Sequence, residues 1–228
     1  MYSIMTNLSE ELQTLSMEVE QQVTPRLQQV LHQSVESLRR QQASERSLQV
    51  GDTVSDFVLK DQRQRSVRLY DQLAQGPVVL TFFRGGWCPY CNLTLRAWRY
   101  ALPDIEFLGG RFLAITPESI RSAQRTVEKN RLDFPVLHDQ GSEVARAFKV
   151  SVVLSDYLSA FYRSLGLNLL SRNTDIIARL PMPATYLIDE QAVIRYAFVE
   201  EDYTQRASIP EVLHQLEVVR NKVEPVYA

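Results

Sequence analysis

The 228-residue sequence predicts an α/β protein, a central sheet covered by helices, with a helical arm ahead of it. Three observations carry this. Beyond residue 47, short apolar runs of strand length alternate with segments of helical period. The alternation ends in two neighbouring strand-like runs and a last amphipathic helix. Residues 1–47 are unlike the rest, being rich in Gln, Glu and Ser and free of glycine. The division expected is therefore a helical extension over 1–47 and a domain over 48–228.

In the arm, Leu8, Leu12, Leu15 and Val19 lie on one narrow helical stripe. Asn7 with Glu10 reads as a capping box, and Thr24-Pro25 as an N-cap followed by proline at the first helical position. Leu27, Leu31 and Leu38 form a second stripe. Such stripes must bury themselves, either on their own domain or on a second copy. A homodimer through residues 1–47 is thus one expectation.

In the domain, residues 54–59 and 66–69 read as short strands. Residues 77–83 read as a strand buried on both faces, followed by a helix over 89–101 and a second buried strand over 111–116. Thr116-Pro117-Glu118 has the form of a helix start, Glu118 favouring the dipole, and that helix runs to Arg131. A strand over 134–137 and a short helix over 142–148 follow. Residues 184–188 and 193–199 make two strands joined by Asp189-Glu190-Gln191-Ala192. Ser208 and Glu211 cap the final helix, which carries Val212, Leu213, Leu216 and Val219. Residues 151–180 break the rhythm. Leu154, Leu158, Phe161 and Leu165 have helical spacing there, for a helix packed on the core or a flap that shapes the site.

Composition removes several function classes. Acidic and basic residues nearly balance, 27 against 25, so nucleic acid and anionic membrane are not expected partners. No apolar run approaches the roughly 18 residues of a membrane helix. Residues 1–7 lack the basic and apolar regions of a secretory signal, so a soluble, cytoplasmic protein is expected.

The chain has two cysteines, Cys88 and Cys91. The loop they close is too small to staple a fold, so their placement asks for a chemical reason. Cys88 follows the buried strand through the turn Arg84-Gly85-Gly86-Trp87, and Pro89 suits the first turn of the next helix. A cysteine at a helix N-terminus is stabilised as thiolate, the nucleophilic form; a free thiol near pKa about 8.5 falls to roughly 3.5–7.5 in such settings. Cys91, one turn on, can attack a sulfur species formed on Cys88. Zinc would need more ligands than one such pair, and His32, His138 and His214 are scattered, so no metal and no cofactor are expected. Inert structural thiols and a redox-silent binding scaffold are the other readings of the pair.

The run Phe83-Arg84-Gly85-Gly86-Trp87-Cys88-Pro89-Tyr90-Cys91-Asn92 resembles the alkyl hydroperoxide reductase and thiol-specific antioxidant family, in its peroxiredoxin-like branch of the thioredoxin-like superfamily. Residues 51–57, 180–189 and 202–206 are similar to it as well. The resemblance covers residues 48–220. It implies a thioredoxin-like fold and redox work by Cys88 and Cys91, supported by Arg84, Trp87, Pro89, Tyr90 and Pro183. It further implies a cis bond before Pro183, turning the Met182 backbone toward the sulfurs. Arg84 is the cation expected beside the thiolate, and Arg206 ranks behind it.

The sequence also departs from the family pattern. Where typical peroxiredoxins have threonine three residues before the first cysteine and proline seven before it, this chain has Gly85 and Thr81. Met182-Pro183 occupies the region of their later arginine, and Phe82 stands where thioredoxins bury an acid. The favoured expectation is a peroxiredoxin-like peroxidase. Its substrate is a hydroperoxide and its reductant a thioredoxin- or glutaredoxin-type protein. A disulfide oxidoreductase using the same two cysteines is the alternative. An interaction module dimerising through residues 1–47 is the third reading.

Overall fold

The computed structural model describes residues 8–173 and 175–223; Asn7, and with it the proposed capping box, lies outside them. The chain opens with α1 (Leu8–Gln22) and α2 (Pro25–Arg40). Then come β1 (Val58–Asp61), β2 (Ser66–Arg68), α3 (Leu69–Leu73), β3 (Val78–Phe82), α4 (Pro89–Phe107), β4 (Arg111–Thr116), α5 (Ile120–Asn130), β5 (Val136–His138) and α6 (Glu143–Ala147). A further segment holds β6 (Ser151–Val153), α7 (Asp156–Ser164), α8 (Leu169–Asn173) and β7 (Arg179–Pro181). The chain closes with β8 (Ala184–Ile188), β9 (Ile194–Val199) and α9 (Ile209–Val223).

Seven strands form one mixed sheet in the order β2-β1-β5-β4-β3-β8-β9. β3, β4 and β5 run parallel, while β8 joins β3 and β9 joins β8 antiparallel. The period-2 rule sorts the side chains of the two central strands. Val79, Phe112 and Ala114 face a core built with α4 and α9. Val78, Leu80, Phe82, Leu113 and Ile115 face a second core on the other side, with α3 and α6. Buried on both faces, β3 is held rigidly, and the chain leaves its end directly into the cysteine turn.

The arm covers its own domain. Leu12 is buried, and Leu8, Leu15 and Val19 pack half-buried on the α4 side of the core. In α2, Thr24 caps the first turn as expected. Its Val30 and Leu31 pack on a small cluster with Leu158, Tyr162 and Leu180. The apolar stripe that suggested a homodimer is thus used within one chain.

Several boundaries differ from the sequence expectation. β1 begins at Val58, because the Asp56 carboxylate turns aside to accept the Tyr70 N–H at 3.0 Å. α4 continues past Ala101 through Pro103 to Phe107; a proline inside a helix removes one donor but need not end it when both flanks are packed. α5 starts at Ile120 with Ser119 as its cap, not Thr116, because Glu118 turns inward. β5 is shifted to Val136–His138, since Phe134 leaves the ladder to pack on Phe112 at 4.6 Å. In 151–180 the buried positions of α7 are Leu158 and Tyr162, whereas Leu165 lies past the helix end, exposed. Among the described residues, no helix is long and apolar enough to cross a membrane.

Candidate active site

From β3 the chain passes Phe83 and Arg84 into the turn Gly85-Gly86-Trp87. Gly85 has φ +145°, a conformation that side chains rarely adopt. A Cβ there would stand 2.5 Å from Trp87 Nε1 and 2.8 Å from Glu118 Cδ. A Cβ on Gly86 would collide with the Thr126 hydroxyl. The family's threonine is absent at position 85 for a local reason: Trp87 and Glu118 already fill that space.

The turn is fixed from α5 and the segment before it. Gly86 N–H donates to the Glu118 carboxylate at 2.9 Å, and Thr126 donates to the same oxygen at 3.2 Å. The Asn92 side-chain amide donates to the Gly86 carbonyl at 2.8 Å, and Asn130 in turn donates to Asn92 at 2.8 Å. Glu118 is 1% exposed, and burial pushes its carboxyl above the ordinary range.

Cys88 is the N-cap of α4 and Pro89 its first residue, as the sequence implies. Cys91 lies one turn into the helix. Both sulfurs belong to buried residues, each 1% exposed, and both are free thiols. The charge does not settle where the helix-terminus argument puts it. Burial pushes the Cys91 thiol up. The hydrogen bond from Cys88, the Arg206 guanidinium and the Arg84 backbone N–H outweigh burial and bring it down to about 5. Burial and the hydrogen bond given to Cys91 instead hold Cys88 well above the ordinary thiol value. The physical reason is geometric: the Cys88 side chain makes no capping hydrogen bond to the helix N–H groups. Arg206 Nη2, by contrast, donates to Cys91 Sγ at 3.4 Å. The pair keeps one proton and one negative charge.

Arg84 is buried rather than solvated, at 6% exposure. Its guanidinium carbon lies 4.9 Å from the Tyr203 ring centre, 5.0 Å from that of Trp87 and 5.6 Å from that of Tyr162. Its Nη2 donates to the Tyr162 hydroxyl. Burial opposes its charge, but Tyr162 and the two sulfurs hold the guanidinium above its ordinary value. Among the described residues it has no carboxylate partner.

The remaining expected residues fall around this centre. Trp87 lies edge-on to Tyr162 at 5.3 Å, half-buried over Arg84. Tyr90 is buried, edge-on to Tyr203 at 5.7 Å. Pro183 borders the cleft that ends on Arg84, but the bond before it is trans, correcting the expected cis bond. The Met182 N–H donates to Val150, and the Pro183 carbonyl accepts from Glu200, so the dipeptide stays extended between β7 and β8, as X-Pro pairs favour. Sequence reasoning missed Tyr162, Glu118, Asn92 and Asn130 as site residues. Among the described residues, no cluster of His, Cys, Asp and Glu is arranged to hold a metal ion.

A buried pair of thiols at the start of a helix, fed by a central strand and flanked by two arginines, defines a thiol-disulfide redox protein of thioredoxin-like fold. The model of the AhpC/TSA family matches residues 50–197. The chain therefore belongs to the AhpC/TSA family and is a peroxiredoxin-like thiol peroxidase. It is 32% identical over 103 residues to a putative peroxiredoxin of Mycobacterium tuberculosis, covering 45% of this chain and 67% of that protein. It is 31% identical over 110 residues to the thiol-disulfide oxidoreductase ResA of Geobacillus thermodenitrificans, covering 48% of this chain and 62% of that one. In fold it is similar to the crystal structure of peroxidoxin BcpB from Mycobacterium tuberculosis, with TM-score 0.60, 22% identity, and coverage of 78% of this chain and 99% of that one.

Proposed function

We propose that Cys88 is the sulfur that attacks the hydroperoxide and that Cys91 serves it twice, first as base and then as resolving thiol. The observation that carries this is the placement of two buried sulfurs at the start of α4, Cys88 at its N-cap and Cys91 one turn in, with Arg206 Nη2 donating to Cys91 Sγ at 3.4 Å. As Cys88 attacks the terminal peroxide oxygen, its proton passes to Cys91. The O–O bond breaks, the alkoxide or hydroxide leaves with one proton from solvent, and Cys88 becomes a sulfenic acid. The Cys91 thiol then condenses with it, forming the disulfide and releasing water. Arg84 stabilises the charge that develops on the leaving oxygen. Trp87, Tyr90, Pro89 and Pro183 shape the site. A thioredoxin- or glutaredoxin-type protein restores both thiols, and the work is cytoplasmic.

The test is a stopped-flow reaction of the pre-reduced protein with hydrogen peroxide, followed by Trp fluorescence. Rapid oxidation that Cys88→Ser abolishes, with a sulfenic acid trapped in Cys91→Ser, is the expected result. Oxidation no faster than that of an ordinary thiol would count against it. The similarity to a thiol-disulfide oxidoreductase supports a second reading, disulfide exchange through the same pair. That reading predicts fast reaction with a glutathione or protein disulfide and slow reaction with peroxide.

A further inference from the structure

β6 and β7 form a two-stranded sheet apart from the main one, and the outer edge of β6 is open. The register pairs Ser151 with Pro181, Val152 with Leu180 and Val153 with Arg179. The Met182 N–H donates to Val150 and the Leu154 N–H to Ala178, both at 2.8 Å, so positions 150 and 154, and with them 152, bond toward β7. Bonding alternates along an antiparallel strand, so the N–H and C=O groups of Ser151 and Val153 point the other way. Among the described residues, no third strand joins this edge and no backbone group bonds to these four. The Ser151 hydroxyl, shut from solvent, has no partner among them either. The edge opens on a groove of about 790 Å³ between β6 and α2. Ser151, Val152, Val153 and Leu154 all line it, which side chains on one face of a strand could not do, so the groove runs along the backbone edge. Val153 and Tyr157 line it too and are exposed. The charged residues in its lining are Arg26 and Lys149, both cationic and exposed; among the described residues, no carboxylate lines it.

We propose that this groove is a docking site for an extended, acidic segment of a partner protein, which adds to β6 as a further strand. Laid beside β6 at the usual spacing of about 4.8 Å, such a segment takes up the N–H and C=O groups of Ser151 and Val153. Its side chains alternate, so every second one packs on the apolar side chains that line the groove, Val153 and Tyr157 among them. Charge selects the occupant. With Arg26 and Lys149 beside the edge, carboxylates on the segment are favoured and ammonium groups are not. The same charge argues against a second copy of this chain, because two β6 edges paired with each other would bring the cations of both protomers together. α2 argues against it as well: a single strand can enter between β6 and α2, whereas a second β6 would arrive carrying its own α2. That helix lies outside residues 50–197, so the family match does not account for the groove. Among the described residues, no cysteine lines the groove, and the proposal stands whichever reaction Cys88 and Cys91 carry out.

The experiment selects from a displayed library of random heptapeptides on the full-length protein and measures the enriched peptides by fluorescence polarisation. Enrichment of sequences in which Asp or Glu flanks alternating Val, Ile or Thr is expected. Val153→Pro removes one outward N–H and leaves the bonds to β7 in place, as proline on a strand edge allows. It is expected to weaken binding tenfold or more while leaving the rate of oxidation by hydrogen peroxide as in the wild type. Arg26→Glu puts an acid in the first turn of α2, which the helix dipole favours. It is expected to weaken binding fivefold or more and to abolish the preference for acidic peptides. Circular dichroism checks folding; if Val153→Pro does not fold, Arg26→Glu decides alone. A library that yields no binder, binders that are basic, or binding unchanged in the folded variants overturns the proposal. A concentration-dependent dimer in sedimentation that Val153→Pro abolishes assigns the edge to a second copy and overturns it too.

Discussion

Cys91 receives the Cys88 thiol, the Arg206 guanidinium and the Arg84 N–H, and each of these favours its charged form against burial. The sign of the pH dependence follows. The thiolate is the reactive species, so alkylation of the reduced pair by iodoacetamide rises with pH through about 5 and slows below it. Arg206→Met removes one favouring group at 3.4 Å and is expected to move this midpoint up by roughly 1 unit or more. Cys88→Ala removes the sulfur donor and moves the midpoint of Cys91 toward the ordinary 9.0. A midpoint unmoved in both variants would show that the charge rests elsewhere. The pair itself was legible in the sequence, because Cys88, Pro89 and Cys91 are contiguous and their residue types carry the argument. Which sulfur holds the charge was not. That depends on Arg206, 115 positions from Cys91, and on a capping bond that Cys88 does not make.

Among the elements, the cysteine turn is held by its neighbours more than by itself. Glu118 lies 32 positions from Gly86, and its inward turn costs α5 the cap expected at Thr116. Glu118→Ala leaves the Gly86 N–H without its acceptor, while the Thr126 hydroxyl keeps the Ser122 carbonyl at 3.1 Å. Each buried unsatisfied group costs about 1–3 kcal/mol, so a loss of about 2 kcal/mol in urea denaturation is expected, with slower peroxide oxidation. Unchanged stability would mean that the turn holds itself. Periodicity located the buried strands and α9 well, since β3, β4 and β8 are apolar on both faces and closely bounded. It failed where one polar or aromatic side chain redirects the chain, as Asp56 does before β1 and Phe134 before β5.

At the scale of the whole molecule, the two sulfurs are enclosed by parts of the chain far apart in sequence. Tyr90 packs on Tyr203, Arg84 on Tyr162 of α7, and α1 lies along α4. A protein reductant reaches a disulfide only by approaching its sulfur, so some of this covering must open during each cycle. Leu12, at the centre of the α1 stripe, is the contact to loosen. Leu12→Ala is expected to cost about 2 kcal/mol in urea and to speed reduction of the oxidised protein by thioredoxin severalfold. Reduction no faster than in the wild type would place the opening elsewhere. The arm's two stripes were readable from leucine spacing, but the surface that receives them exists only once the sheet has formed.

The close spacing of Cys88 and Cys91 on the first turn of α4 has a further consequence for how long the protein lasts under attack. Irreversible loss of a peroxidatic sulfur requires a second oxidant molecule to find the sulfenic acid before a thiol does. On the proposed assignment the resolving thiol stands one helical turn away and needs no second molecule to arrive. Damage by excess peroxide is then a race that the neighbouring sulfur begins ahead, and the proposed pair predicts a protein that survives a surge.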